Sequence, residues 1–308
     1  MSSAPGPPAA DATALAEHFA FGANWRRFLE RVDESRIAAA EASLRRLLAL
    51  DQTPRPLAGR RFLDAGCGSG LFSLAASRLG GVVVGFDFDP QSVACTRELQ
   101  RRFGGDWPVK EGSVLDADFL ASLGVFDIVY SWGVLHHTGA MWQAVSRVSG
   151  CVASGGDFAL ALYNDQGPLS ERWRAIKQGY QRVPRLARTP YVAAIGAGYF
   201  GWRAARKLLG RAGERPLAAA LAADDARGMS RWHDLVDWVG GWPFEVATPE
   251  VVVERLGQLG FESRLVFDVG DRHGCNEFLF RKVAEQPGGT VPDAQAIGSQ
   301  ATAPEASP

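Results

Sequence analysis

The sequence predicts an α/β fold with a parallel sheet and helices on both of its faces. Three observations support this prediction: short apolar segments alternate with amphipathic patterns, a glycine-rich turn follows the first such segment, and an Asp-Pro pair begins a later helix. With 308 residues, of which 46% are hydrophobic and 22% are charged, the chain can bury a substantial core. This composition excludes wholesale disorder and a disulfide-dense scaffold.

The N-terminal region is predicted to contain a tail and a helical segment. Residues 1–10 are rich in Pro, Ala and Ser and are predicted to be disordered. Residues 11–56 are predicted to be helical until Pro54, because three leucines recur at helical spacing: Leu44, Leu47 and Leu48.

Residues 57–164 are predicted to form most of the α/β core. Five strands are expected here, at residues 61–64, 82–86, 109–113, 126–130 and 157–163. Helices are expected at residues 71–79, at residues 90–103 and from about residue 140. The second of these helices has a clear start, since Asp89 is a suitable N-cap and Pro90 suits the first helical position.

The pattern changes after residue 164. Residues 165–247 have helical character, many aromatic residues and little strand signal, which predicts a helical lid inserted into the α/β core. Residues 248–285 are predicted to complete that core with one helix and a final antiparallel pair of strands, residues 261–269 and 276–283. Residues 286–308 contain few large apolar residues and are predicted to be a disordered tail.

The glycine-rich turn and two acidic residues predict the class of ligand. The glycines stand at positions 66, 68 and 70, and Leu71 precludes the third glycine of a dinucleotide-binding turn. The turn also lacks the lysine that a triphosphate-binding loop requires. Asp87 ends the second strand about 20 residues later, where a carboxylate can accept both hydroxyls of a ribose. Asp64 adds negative charge beside the turn, which favours a cationic ligand.

Four motifs resemble those of the class I S-adenosylmethionine-dependent methyltransferases. They are residues 62–70 (FLDAGCGSG), 85–90 (GFDFDP), 111–114 (EGSV) and 126–137 (FDIVYSWGVLHH), with Ser113 where the family usually has Asp. The resemblance covers residues 60–164 well and residues 248–283 more loosely. It implies a Rossmann-like, seven-stranded, mostly parallel sheet whose last strand is antiparallel.

The resemblance also implies S-adenosylmethionine as the cofactor. Asp64 and the glycine-rich turn would hold its methionine part, and Asp87 would hold its ribose. The implied binding residues further include Gly66, Cys67, Gly68, Gly70, Phe88, Ser113, Val114, Ser131 and Trp132. Methyl transfer is an in-line displacement at a sulfonium carbon, so the protein mainly positions the reactants and manages a proton.

The methyl acceptor is predicted to bind beyond the fourth and fifth strands, near His136, His137, Tyr163 and Asn164. An imidazole at this position could act as a general base. Alternatively, the two histidines cap the following helix or hydrogen-bond buried carbonyls, with His137 as the structural member. Because adjacent side chains diverge, at most one of them is expected to face the acceptor.

A second acceptor-binding set is predicted within residues 228–245, a segment dense in tryptophan and carboxylates: Trp232, His233, Trp242 and Glu245. As part of a lid, these residues would supply aromatic walls and polar anchors to a pocket. Alternatively, the tryptophans dock a helix on the sheet and the carboxylates pair with nearby arginines.

The charge is distributed unevenly along the chain. The net charge is −1, yet residues 172–215 contain eleven basic residues and one acidic residue, a net charge of +10. This segment could contact an anionic membrane surface or an anionic substrate, or it could form solvated helices that bind nothing. The overall balance argues against a bulk nucleic-acid binder, and the fourth strand is not followed by an Asn-Pro-Pro-Tyr base-flipping motif.

The sequence therefore predicts a cytoplasmic methyltransferase that modifies oxygen or nitrogen of a small molecule. The N-terminal residues lack the features of a secretory signal, and residues 191–202, the most apolar stretch, are too short to span a bilayer. Four widely spaced cysteines fit a reduced compartment and do not suggest a metal site. Two alternatives stay open: a methyltransferase that acts on protein or nucleic acid, and a non-catalytic nucleotide-binding relative.

Overall fold

A computed structural model describes residues 25, 28–208, 231–270 and 274–284, so the predicted tails, residues 1–10 and 286–308, lie outside it. Its centre is a seven-stranded sheet in the order β3-β2-β1-β4-β5-β7-β6. The strands are β1 (Arg61–Ala65), β2 (Val82–Asp87), β3 (Val109–Glu111), β4 (Phe126–Trp132), β5 (Val152–Tyr163), β6 (Phe261–Phe267) and β7 (Cys275–Lys282).

The strand directions confirm the predicted topology. Strands β1 to β5 pair in parallel, whereas β7 runs antiparallel to both of its neighbours, β5 and β6. The order of the strands reverses between β1 and β4. Open α/β sheets bind their ligands outside the carboxyl ends of the strands at such a reversal.

Helices cover both faces of the sheet. They are α1 (Glu34–Leu47), α2 (Leu71–Arg78), α3 (Pro90–Phe103), α4 (Ala117–Leu123), α5 (Met141–Ser149), α6 (Pro168–Arg182), α7 (Arg185–Leu208), α8 (Arg231–Gly240) and α9 (Pro249–Gln258). Among these described helices, none combines the length and apolar character that crossing a bilayer requires.

The alternation of side chains along the strands divides the core between the two faces. In β1, Phe62 packs with the buried residues of α1, α2 and α3, while Leu63 packs with those of α4, α5 and α9. The three leucines predicted to share one face of α1 are all buried: Leu44, Leu47 and Leu48. The periodicity of the sequence therefore located this helix correctly.

The structure differs from the predicted elements in several places: α1 ends at Leu47 instead of near Pro54, and β3 ends at Glu111 instead of residue 113. Strand β5 begins at Val152, five residues before the predicted start, because Gly155 and Gly156 are accommodated where the register between β4 and β5 shifts. Helix α4 was not predicted. It has only seven residues, and Asp116 caps its first turn by accepting a hydrogen bond from the backbone N–H of Phe119.

Helices α6, α7 and α8 lie between β5 and α9 in the chain and form a third, smaller cluster of buried residues. Its fully or largely buried members are Trp173, Tyr180, Val192, Val239 and Phe244. Tyr163, the last residue of β5, packs against it. The predicted helical character of this part of the chain is thus observed in the described residues, and its aromatic side chains meet the sheet at the carboxyl end of β5.

Candidate active site

The glycine-rich turn links β1 to α2 at the carboxyl edge of the sheet. Gly66, Gly68 and Gly70 have φ angles of +84°, +54° and +79°, which residues with a side chain rarely adopt. Neighbouring side chains also exclude a Cβ here. A methyl group built on Gly66 would lie 2.5 Å from both Cγ atoms of Val134, and one on Gly68 would lie 3.0 Å from Cε2 of Trp25.

Asp64 is buried beneath this turn. Its carboxylate accepts a hydrogen bond of 2.6 Å from the hydroxyl of Ser73. Burial raises the pKa of Asp64 to about 7, and the nearby charge of Asp87 adds to the shift. A positively charged ligand at the turn would reverse this trend and favour the ionised carboxylate.

Asp87 ends β2 and faces the same turn. Its two carboxylate oxygens accept hydrogen bonds from the backbone N–H groups of Gly68 and Asp89, each 2.9 Å long. Burial raises its pKa to about 6, although these two hydrogen bonds oppose the shift. Each carboxylate oxygen can accept a further hydrogen bond, so the group remains able to bind the hydroxyls of a ribose.

The residues predicted to flank adenine lie beside Asp87. The backbone N–H of Gly112 donates to the carbonyl of Asp87, which brings the end of β3 next to the ribose-binding position. Ser113 is half-buried, and its hydroxyl accepts the backbone N–H of Leu115. Val114 is buried in the core cluster that includes Phe86. The two acids, the turn and this apolar end of β3 together fit a cationic nucleoside such as S-adenosylmethionine.

The side chains of three predicted cofactor residues have partners within the protein, although Trp132 is exposed. The thiol of Cys67 lies 3.4 Å from the hydroxyl of Thr96, and burial raises the pKa of this thiol. Ser131 donates its hydroxyl hydrogen to the carbonyl of Ala65. The indole N–H of Trp132 donates to Glu277 at 2.8 Å. The cofactor contacts assigned to these three residues and to Phe88 remain predictions. The backbone groups of these residues could still make such contacts.

The two histidines after β4 are held by different partners. His136 is fully buried, and its Nδ1 accepts the backbone N–H of Tyr163 at 3.3 Å. The Nδ1 of His137 lies 2.7 Å from the carbonyl oxygen of Pro243. Because a carbonyl oxygen only accepts hydrogen bonds, the proton of a neutral His137 is on Nδ1 and its Nε2 is the basic nitrogen.

Tyr163 and Asn164 connect the end of β5 to the surrounding segments. The ring of Tyr163 lies 3.8 Å from that of His136 and 5.4 Å from that of Trp238, measured between centroids. The amide group of Asn164 donates to the carbonyl of Gly270 and accepts a hydrogen bond from Asn276. These contacts position both residues, and their predicted contact with an acceptor remains a prediction.

Glu245 contacts the start of α5. Its carboxylate accepts the backbone N–H of Met141 at 3.0 and 3.1 Å, and the positive charge of Arg174 also acts on it. Burial raises the pKa of Glu245. Trp242 packs against the aromatic cluster, whereas the side chains of Trp232 and His233 lie outside the part of the chain that the structure describes.

Two residues near the site were not singled out from the sequence. Trp25 rests on Gly68, and no local pattern indicates this contact because the two residues are 43 positions apart. Lys177 is fully buried among the aromatic residues of the third cluster. Its position between Trp173 and Tyr180 on one helical face was a signal that it points inward. The basic segment is therefore not entirely a solvated surface.

Comparisons with known proteins support the interpretation of this site as one that binds S-adenosylmethionine. Residues 63–158 match the family model described as a methyltransferase domain. The ubiquinone biosynthesis O-methyltransferase of Methylobacterium sp. is 30% identical over 169 residues, which cover 53% of this chain and 67% of that protein. The tRNA U34 carboxymethyltransferase of Methylococcus capsulatus is 38% identical over 106 residues, or 34% of this chain.

A solved structure, that of PKMT2 from Rickettsia typhi in complex with AdoHcy, shows the same fold. It has a TM-score of 0.51 and 14% sequence identity, and the match covers 82% of this chain and 53% of that chain. The fold and the site define a Rossmann-like protein that binds a cationic nucleoside. The chain belongs to the class I S-adenosylmethionine-dependent methyltransferases. Its match spans about a third, 32%, of the length of the Methylococcus protein and of the ribosomal protein L11 methyltransferase of Xylella fastidiosa.

Proposed function

We propose that this protein transfers the methyl group of S-adenosylmethionine to oxygen or nitrogen of a small-molecule acceptor. The observation that carries the proposal is the position of the aromatic cluster, which meets the sheet at the carboxyl end of β5, the strand next to β4. A site enclosed by aromatic side chains suits a small acceptor, because it buries most of the surface of its ligand.

The chain's own residues would bind and orient the cofactor. When bound, S-adenosylmethionine supplies a methyl group that its sulfonium charge has already activated. Asp87 would accept the ribose hydroxyls while it keeps the hydrogen bond from Gly68. Asp64 would become ionised beside the cationic methionine part, which strengthens the attraction.

We assign the general base to His137. The hydrogen bond between its Nδ1 and the Pro243 carbonyl fixes the tautomer of the neutral imidazole, in which Nε2 can take the proton of a hydroxyl or amine acceptor. The alternative base, His136, has its Nδ1 occupied by the backbone N–H of Tyr163. His136 is therefore better suited to donating a hydrogen bond from Nε2 than to accepting a proton.

The division of the chain into a core, a lid and an N-terminal helical segment is also a proposal. Residues 57–164 and 248–285 would form the cofactor-binding core, residues 165–247 the lid, and residues 11–56 a helical segment packed beside the core. The described cysteines, all four of the chain, are free thiols, which supports a cytoplasmic location. Contact of residues 172–215 with a membrane surface or an anionic substrate also remains a proposal.

The relatives include a tRNA, a ribosomal protein and a ubiquinone biosynthesis methyltransferase. The nature of the acceptor therefore needs a direct test. Isothermal titration calorimetry with S-adenosylmethionine and with NAD comes first, and binding of only the former is expected. Formation of S-adenosylhomocysteine is then measured with a panel of phenols and amines, and separately with tRNA and ribosomal protein.

Each result of these assays has a distinct consequence. Absence of S-adenosylmethionine binding would overturn the proposed function. Turnover with tRNA or protein, and none with the small-molecule panel, would overturn the proposed acceptor class while leaving methyl transfer intact.

A further inference from the structure

The outer side of α7 is exposed and apolar. Among the residues of α7 whose side chains the structure describes, nine are exposed, and they recur at helical spacing. Eight of the nine are apolar and none is charged. They form the outer face of α7: Leu186, Ala187, Thr189, Pro190, Ala193, Ala194, Ala197, Gly198 and Gly201. Leu186 is 98% exposed. This face is unusual, because a surface helix of a soluble protein normally carries charged side chains on the side that faces water.

The opposite side of α7 joins the helix to the rest of the protein. Tyr191 donates its hydroxyl hydrogen to a backbone carbonyl of α6. A methyl group built on Gly196 would lie 2.6 Å from Cδ2 of Leu235 in α8. On the outer face, by contrast, methyl groups built on Gly198 and Gly201 would have no neighbouring atom within 4 Å. The outer face is therefore open, although it is as apolar as the packed side.

Basic residues stand at both ends of the outer face. Residues 182–207 contain six basic residues and no acidic residue. Three of them precede the uncharged stretch of residues 189–202 and three follow it: Arg182, Arg185, Arg188, Arg203, Arg206 and Lys207. An apolar helix face accompanied by positive charges is typical of a helix that lies in the interface of an anionic membrane.

The charges distinguish a membrane from other partners. A second copy of the chain, packed through the same face, would bring the basic residues of both copies together in either helix orientation, because both ends of the face are basic. A small anionic ligand needs a concave site that buries most of its surface, whereas this face belongs to a single helix. Anionic lipids instead present an extended layer of negative charge above an apolar region.

We propose that the outer face of α7 rests on a membrane surface that contains anionic lipids. The helix would lie parallel to the membrane, with Leu186 and the alanines toward the acyl chains and the basic residues among the headgroups. Because the apolar side chains are mostly small, electrostatic attraction would supply much of the affinity, and the association would be reversible. This inference goes beyond the proposed function, since it concerns where the protein acts and not which acceptor it methylates.

Vesicle binding by the full chain tests the proposal. Sedimentation compares vesicles of phosphatidylcholine alone with vesicles of an equimolar mixture of phosphatidylcholine and phosphatidylserine. The chain is expected to bind the mixed vesicles at least about tenfold more tightly, and this preference should decrease as the salt concentration rises.

Paired substitutions identify the surface that binds. Ala193→Asp with Ala197→Asp places two negative charges on the outer face and should weaken binding to the mixed vesicles at least about tenfold. Ala38→Asp with Ala42→Asp is the matched control and should bind as the wild type does, because these alanines are also exposed and four positions apart, on α1. Ala193→Leu with Ala197→Leu should strengthen binding, since longer apolar side chains reach further into the membrane. Unchanged affinity for S-adenosylmethionine shows that each variant is folded.

Several outcomes would overturn the inference. These are equal binding of the wild type to both kinds of vesicle, binding to neither, and equal losses in the two Asp variants. Analytical ultracentrifugation without lipid adds another, because a dimer that only the Asp pair on α7 dissociates would assign the face to a second copy of the chain. All of these results would leave the proposed function standing, whereas failure of the wild type to bind S-adenosylmethionine would count against that function alone.

Discussion

The backbone N–H of Gly68 donates a hydrogen bond of 2.9 Å to the carboxylate of Asp87, and this bond joins the glycine-rich turn to the end of β2. The two parts of the cofactor site that the sequence presents 19 positions apart are therefore one hydrogen-bonded unit. The same carboxylate also holds Asp89, the N-cap of α3. Changes at Asp87 should consequently affect the turn, the ribose and the start of the next helix together.

Replacing Asp87 with Ala should weaken binding of S-adenosylmethionine about tenfold to a hundredfold, because hydrogen bonds to a charged group are worth roughly 1.5–3 kcal/mol. Calorimetry measures the dissociation constant. Asp127→Ala is a suitable control, since Asp127 accepts the backbone N–H of Arg61 at the opposite end of β1. Normal cofactor affinity in the Asp87 variant would remove its assignment to the ribose.

Binding of the cofactor should depend on pH through two buried acids. The pKa of Asp64 is raised to about 7 and that of Asp87 to about 6, and a cationic cofactor favours their ionised forms. The affinity for S-adenosylmethionine should therefore rise with pH through the interval of about pH 6 to 7 and level off above it. In Asp64→Asn, the remaining rise should centre near the pKa of Asp87. A wild-type affinity that stays constant over this interval would contradict the prediction.

The stability of the cofactor-free protein should follow pH in the opposite direction. Because the pKa values of Asp64 and Asp87 lie above their ordinary value of 3.8, the folded state binds more protons than the unfolded state between about pH 4 and 7. The contribution of these acids to the free energy of unfolding should decrease as pH rises through this interval. Urea denaturation of the wild type and of Asp64→Asn at a series of pH values measures the part that comes from Asp64 as the difference between their slopes.

Much of the cofactor site could be predicted because its signals are local. Positive φ angles at Gly66, Gly68 and Gly70 follow from the spacing of the glycines, and Asp87 ends a strand that the pattern locates within one residue. The inward orientation of Ser131 could not be predicted in this way. Its hydroxyl binds the carbonyl of Ala65, and that contact exists only because β4 pairs with β1.

The acceptor end was harder to predict because its contacts join distant parts of the chain. The roles of His136 and His137 depend on which nitrogen each partner occupies, and those partners, Tyr163 and Pro243, are 27 and 106 positions away. Trp25 and Gly68, which also contact each other, are likewise far apart in the sequence. Spacing and periodicity describe neighbours along one helix or strand, so they carry no information about such pairs.

Gly66→Ala should destabilise the protein more than Gly260→Ala does. Both glycines have a positive φ, +84° and +80°, so each substitution incurs a conformational penalty of roughly 1–2 kcal/mol. Only at position 66 would the new methyl group also collide with Val134, at 2.5 Å, whereas the space around Gly260 is open. Chemical denaturation measures the difference, and Val134→Ala should recover part of it in the double variant. Equal losses at the two positions would show that the collision is relieved by small movements.

His137→Asn should separate the proposed general base from its structural contact. The amide nitrogen of Asn can take the place of Nδ1 and donate to the Pro243 carbonyl, while the basic Nε2 is lost. With an acceptor found in the phenol and amine panel, kcat is expected to fall by about 10²–10⁴-fold, with little change in the affinity for S-adenosylmethionine. The decline of kcat toward acidic pH, which reports protonation of the base, should disappear as well. His137→Gln, which does not reproduce the Nδ1 contact, should lose stability in addition to activity. Full turnover by the Asn variant would exclude His137 as the base and return that role to the acceptor or to water.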